Sequence, residues 1–538
     1  MNNKMKIKYI LFVLIAVMIS IVACDDDDKY GTPDRLFRPV VKETSYSGTW
    51  IRLEWDKYEG VELFNLELSV DSFATILASV ETDTTFHLFE DLEYDTDYQI
   101  RIQSFGNNME SDYFINETVK TSDYPTKLLN PSASDIIDKK VRIRWSEEVY
   151  DSLVVSKNDT IVSTIIVSEV ANENEEIIIE SLIPESSYIV RAYFEGNYMG
   201  KKGFTTVEEE IFEGDIKDLR EYDSEESYTL INGSFVDDLA SEYPEGVTVI
   251  LSGGITYEIK SGIKFTSPIR FVTGLSLDGF ATMSIHGNFD VLADADIEKL
   301  SFEKIIFTDH PEKPRTDGHF GGTYLFNFDG GGAKVGELLF DNCDIRYKRG
   351  MVRAKAGATI ERFVINNCFV DSIGGYGIFN LDHQESYGED IIIKNSTFAY
   401  CEKFLVTRKT PHINSILLEN LTIYKVPNGT GDFYMDLENK EVPGGVIVRN
   451  SIFGPSIGSS SKGIRFSKDI NVSVTIDKSY STSDQAWTTN VDTGMPENPL
   501  DLEKLSKSSD EIFSNPSELD FTVIDASLKS RAGDPRWW

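Results

Sequence analysis

One short phrase returns five times around residues 336–453: LLFDNCDIRY, FVINNCFVDS, IIIKNSTFAY, ILLENLTIYK and VIVRNSIFGP. Each copy is an alternating apolar run, an Asn, a small or apolar residue, and a second short apolar run. The recurring residues are Asn342, Asn367, Asn395, Asn420 and Asn450, spaced 25, 28, 25 and 30 apart. A period in this range with strand patterning is a solenoid signature. A unit so small cannot close its own core and must stack on its neighbours. Three short strands and their turns fill one coil, and equivalent residues repeat at about 4.8 Å up the stack. The spacing therefore predicts a right-handed parallel β-helix. Asn suits the repeating bend because its amide both donates and accepts, so the column reads as a structural ladder. The unequal spacings mark where loops leave the stack, and loops are where function is expected.

The ladder extends backwards. Gly279 and Lys304 hold the equivalent position in two earlier coils, and the step from Lys304 to Asn342 is 38 residues. One coil thus carries an insertion, at about 309–332. A second large excursion is expected at 426–441. Coils begin near residue 246 and run to 538, with 480–520 as irregular cover. Segment 210–245 is read as a junction and helical cap. Ser234 and Asp237 have capping-box spacing, and Phe235, Leu239 and Tyr243 supply the apolar face.

Ahead of the solenoid stand two units that align with a shift of 90 residues: Trp55 with Trp145, Leu92 with Leu182, Tyr98 with Tyr188. Alternating strands and a Trp on an early strand predict a β-sandwich in each, over 41–122 and 123–209. The Leu-x5-Tyr spacing resembles the tyrosine corner of fibronectin type III domains. The fold class is then all-β: two sandwiches followed by a parallel β-helix.

The first residues read as an address. Lys4, Lys6 and Lys8 precede an apolar run that is too short for an ordinary membrane span, and it ends in Ile21-Val22-Ala23-Cys24. This resembles the lipobox of bacterial lipoproteins, which implies a signal peptide at 1–23 and lipidation of Cys24. Asp25–Asp28 follow, in a linker over 24–40, and resemble the surface-export signal of Bacteroidetes lipoproteins. The expected location is the outer membrane, lipid-anchored and facing outward. A formal charge of −37 argues against nucleic acid as a partner. Cys343, Cys368 and Cys401 are an odd number beyond Cys24, so no disulfide framework is implied. Cys343 and Cys368 each follow a ladder Asn and read as a small internal stack.

The stretch 230–538, with its ending Gly533-Asp534-Pro535-Arg536-Trp537, resembles the pectate-lyase-like β-helix modules of Bacteroidetes surface lipoproteins. That ending reads physically as a turn and a packed aromatic cap. The resemblance implies a polysaccharide partner, acidic or neutral, and a place in a surface glycan-uptake complex. It also implies the chemistry of a lyase: calcium held by carboxylates, an Arg or Lys base, and a further cation at the developing enolate.

Three neighbourhoods supply candidates for catalysis or glycan binding. Arg346, Lys348, Arg349, Arg353 and Lys355 form the densest basic run of an acidic chain, with Arg346 and Lys348 on one face if the strand alternates. Asp382 and His383 sit in the next coil; Asp382, Glu385, Glu389 and Asp390 are the candidate calcium ligands. Arg408, Lys409 and His412 follow one coil further on. Tyr324, Phe326, Phe328, Tyr376, Tyr387, Phe433 and Tyr434 lie in or beside the irregular loops, where rings stack on sugar faces. No complete catalytic motif is present. The leading expectation is a surface protein that binds or helps process a polysaccharide. The alternatives are a calcium-assisted uronate lyase and an adhesion or scaffolding protein.

Overall fold

A computed structural model describes residues 36–309, 322–381, 383–407, 409, 412–429, 431–438, 441–458, 460–466, 472–488 and 500–538. Two compact units make up the chain, one built mainly from the sandwiches and the other from the solenoid. The signal segment, Cys24 and the acidic run lie outside the described residues. Among the described residues, no helix is long and apolar enough to cross a membrane.

The first sandwich places the sheet of Val41–Ser47, Trp50–Trp55 and Phe86–Phe89 against one ordered Ala78–Thr82, Leu63–Ser69, Asp97–Gly106, Met109–Glu110. This division of strands is that of a fibronectin type III domain. Alternation in WIRLEW sends Ile51, Leu53 and Trp55 into the core, and the Trp55 ring meets Phe64 edge-on at 5.4 Å. The Tyr98 hydroxyl accepts the backbone N–H of Glu93 at 3.0 Å, which is the expected tyrosine corner. In the second sandwich, four strands are ordered Thr160–Ile166, Ser152–Lys157, Ser187–Phe194, Asn197–Thr205, and Trp145 and Tyr188 are buried as their counterparts are.

The solenoid makes about eight turns. Each full coil contributes two strands to an 18-stranded sheet and one to an eight-stranded sheet, all paired parallel with the coils before and after. Strand Lys334–Asp341 pairs with Thr359–Asn366, for example, and Gly350–Ala354 with Phe379–Leu381. Inward positions stack ring on ring: Phe271 on Phe302 at 5.8 Å, and Phe302 on Phe340 at 5.4 Å.

The ladder residues turn the corner between the first two strands of each coil. Gly279, Lys304, Asn342, Asn367, Asn395, Asn420 and Asn450 all have φ between 49° and 81°, the left-handed region. Gly and Asn enter that region at least cost, which is why they recur. The ladder continues to Lys478, with φ 45°, a rung the sequence pattern misses. Its side chains bond in series: Asn420 donates to Asn395 at 2.7 Å, Asn395 to Asn366 at 2.9 Å, and Asn366 to Asp341 at 2.7 Å. The series thus slips by one residue at Asn366, so Asn367 and Asn342 hold the bend without joining it. Just inside the bend, Cys343 and Cys368 are buried and free, and the Cys343 N–H meets the Cys368 sulfur at 3.4 Å. Burial pushes both the Cys343 and Cys401 thiols up.

Three expectations need correction. The cap helix Gly233–Glu242 is started by Asn232, not Ser234: the Asn232 side chain accepts the Phe235 N–H at 3.1 Å. Val236 and Leu239 still close the first coils, and Ile216–Asp218 is already a rung. The expected excursions are shorter than their composition suggests. Tyr324–Phe328 and Phe433–Glu438 are strands of the eight-stranded sheet, and Phe326, Phe328 and Tyr434, expected as loop rings, fill the core instead. The ending is not a cap on the last coil. After Glu503–Lys504 the chain turns back along the flank of the stack. Gly533 donates its N–H to Asn450 O at 2.9 Å, and the buried Asp534 carboxylate accepts from Thr397 at 2.7 Å. Trp537 donates to Thr397 at 2.8 Å and packs on Phe369 and Phe521.

Candidate functional site

The eight-stranded sheet positions the most distinctive cluster. Along it, Phe326, Val352, Phe379, Leu405, Met435 and Ile464 face the core in register. The next residue of each strand points to the opposite side of the sheet, which lines up Asn327, Arg353, Asn380, Val406, Asp436 and Arg465, with Asn327, Asn380 and Val406 buried among them. Pleating thus writes a column that is polar except at Val406.

Arg353 sits near the middle. Its Nη1 donates to the Tyr324 hydroxyl at 3.2 Å, and its Cζ lies 4.5 Å from the Tyr376 ring centroid and 5.4 Å from that of Tyr324. Arg349 reaches the same rings, at 4.9 Å and 5.6 Å. The two rings meet edge-on at 5.0 Å. Gly350 makes this possible, since a Cβ there would stand 2.7 Å from Tyr376 Cβ and 3.1 Å from the Tyr324 ring. Burial, with the Tyr376 hydroxyl, pushes Tyr324 up against the opposing pull of Arg353 and Arg349. Asn327 and Asn380 flank Arg353 in the column. Asn380 donates to Tyr376 O at 3.2 Å, while Asn327 Oδ1 is buried with no partner among the described residues. Further along, Arg465 forms a two-pronged pair with Asp436 at 2.6 and 2.7 Å and lies 5.2 Å from the Phe433 ring.

Guanidinium groups held against aromatic rings keep their charge while losing freedom. Such a patch takes a carboxylate or sulfate through the guanidinium and a sugar face through the ring.

The other basic candidates part company with this cluster. Lys348 departs most from its expected surface placement. Tyr347 has φ 56°, which breaks the strand alternation and turns Lys348 inward instead of onto the face of Arg346. It is fully buried, and its ammonium donates to Ile285 O at 2.7 Å. Burial brings it down to about 8, with Asp309 opposing. Arg346 stays half-buried on the adjoining sheet, 4.0 Å from Asp344. Lys355 pairs with Asp329 at the surface at 2.8 Å.

The acidic and histidine candidates gather at the corner between the eight-stranded sheet and the following strand. The His412 ring stacks on Tyr387 at 4.6 Å, with its Nε2 3.3 Å from Glu389, which also accepts from the Tyr387 hydroxyl. Asp390 accepts from Asn414 at 3.1 Å and Ser415 at 2.6 Å. His383 Nδ1 accepts the Glu385 N–H at 3.2 Å, and Glu385 and Lys409 are exposed. Asp382 and Arg408 lie outside the described residues. Among the described residues, no group of three or more His, Cys, Asp or Glu is arranged to hold a metal ion.

Sequence reasoning finds the arginines and tyrosines of the site but not their company. Asn327, Asn380 and the Asp436–Arg465 pair become legible only once the register of the sheet aligns them.

Two family models match parts of the chain, both described only as domains of unknown function: DUF4957 over 255–401 and DUF5123 over 416–537. No curated protein matches. Among solved structures, the chain is similar to the FN1–FN3 domains of chicken CNTN1. That match has 13% identity and a TM-score of 0.15, covering 33% of this chain and 69% of that one. It is also similar to a two-domain fibronectin type III segment of chicken tenascin. There the identity is 16% and the TM-score 0.18, covering 31% of this chain and 97% of that one.

Proposed function

We propose that this chain is a lipid-anchored cell-surface protein that binds an acidic polysaccharide on the outer face of the eight-stranded sheet. The observation that carries the reading is the convergence of Arg349 and Arg353 on the paired rings of Tyr324 and Tyr376. On a chain of charge −37, a positive cluster backed by aromatic rings is a local inversion of the surface field. Asn327 and Asn380 flank it in the same column. The anchor rests on Cys24 after Ile21-Val22-Ala23.

Affinity electrophoresis of the full chain against uronate, sulfated and neutral polysaccharides, with and without calcium, tests it. Retardation by the anionic polymers supports the reading, and failure of every anionic polymer to retard the protein refutes it. Unsaturated uronate product in the same mixtures would turn the assignment from binding to lyase chemistry.

A further inference from the structure

The sandwich unit holds a second feature that the site above does not use. A cleft of about 530 Å³ opens in it, lined among others by Tyr94, Tyr124, Tyr193, Tyr198, Asp95 and Arg191. This volume lies within the range of small-ligand sites, which favour junctions between domains. Four half-buried tyrosines around one cleft give ring faces and hydroxyls in the same small space.

The cleft is built firmly. Lys201 bridges Asp95 at 2.7 Å and Asp123 at 3.0 Å, and Lys120 adds a bond to Asp95 at 2.8 Å. Gly200, at φ 101°, lets the backbone press on Thr126, where a Cβ would stand 2.3 Å from Thr126 Cβ. Tyr94 meets Tyr124 edge-on at 5.2 Å, and Tyr193 meets Tyr198 at 6.0 Å. Rings fixed this way lose little freedom when a ligand arrives.

The carboxylates that brace the cleft are already paired. The Asp95 carboxylate is clamped by two lysines, and Arg191 Nη1 donates to Ser156 at 2.8 Å. A cationic ligand would have to displace a lysine from Asp95. A neutral ligand needs only ring faces and hydrogen-bond partners. The Tyr198 ring lines the cleft while its hydroxyl is buried, so this residue offers a ring face.

From these observations we infer that the cleft binds a neutral saccharide, one ring stacked on tyrosine and its hydroxyls bonded to the tyrosine hydroxyls. This site is separate from the arginine cluster and does not depend on that reading. The test is saturation-transfer NMR and titration calorimetry of the full chain with neutral oligosaccharides of glucose, mannose, xylose and galactose. At least one of these is expected to bind. Tyr193→Ala should weaken it about tenfold. Tyr193→Phe, which keeps the ring and the fold, should weaken it roughly three- to tenfold. Arg353→Ala should leave it unchanged. The proposal is overturned if none of the four binds, if both tyrosine variants bind as the parent does, or if Arg353→Ala abolishes the same binding.

Discussion

Lys348 offers a test worked directly from the structure. Its ammonium is fully enclosed, bonded to Ile285 O at 2.7 Å, and held down from 10.5 to about 8 by burial. The unfolded chain therefore binds the extra proton between pH 8 and 10.5, where the folded chain has released it. Stability must rise with pH across that window, by up to about 1.4 kcal/mol per unit, because the state that loses ground is the one that binds more protons. The contribution is complete above the unfolded value and is lost as pH falls through about 8. Over the window it amounts to about 3 kcal/mol. Lys348→Met removes the titration while keeping the volume. Near pH 7 the variant avoids enclosing a charge but leaves Ile285 O without its donor, a cost of about 1–3 kcal/mol, so the two proteins should lie close together. Urea unfolding of the solenoid, followed by circular dichroism from pH 7 to 10.5, reads the difference between parent and variant, in which other titrating groups cancel. The parent should gain on Lys348→Met steadily above the folded value of about 8. Parallel curves would refute the reasoning.

Two further perturbations test the frame. Asn395→Ala removes the bonds to Asn366 and from Asn420 and places an ordinary side chain at φ 49°; urea midpoints should show a loss of about 2–3 kcal/mol, with Asn395→Gly recovering the backbone share. Gly533→Ala forces a Cβ at φ 86° to within 3.0 Å of Thr422 Oγ1. Its cost of about 1–3 kcal/mol should release the returning tail, seen as faster hydrogen exchange over residues 525–538 with the ladder amides unchanged.

The frame was legible because its rule is local. A left-handed bend once per coil selects Asn or Gly, and so Asn342 to Asn450 stand out without any structure. Lys304 was found by spacing alone, and Lys478 escaped because nothing marks a Lys as a bend residue. The returning tail was illegible for a related reason: Asp534 meets Thr397 and Thr422 across more than a hundred residues of chain, and no periodicity records such a contact. At the site, charge density in an acidic chain pointed to the right run of arginines. It did not separate Arg353, set outward by the pleat, from Lys348, turned inward by the bend at Tyr347. Nothing in the sequence marks Gly350, although its missing side chain is what lets Tyr324 and Tyr376 close on the guanidinium groups.

The central claim is that Arg353 and its paired tyrosines form a binding surface for an acidic glycan. Titration calorimetry of the parent, Arg353→Ala and Tyr376→Ala with polygalacturonate tests it most directly. The account predicts measurable binding by the parent, weakened about tenfold or more in each variant, with Arg353→Ala also less sensitive to salt. Equal affinity in all three proteins would contradict it.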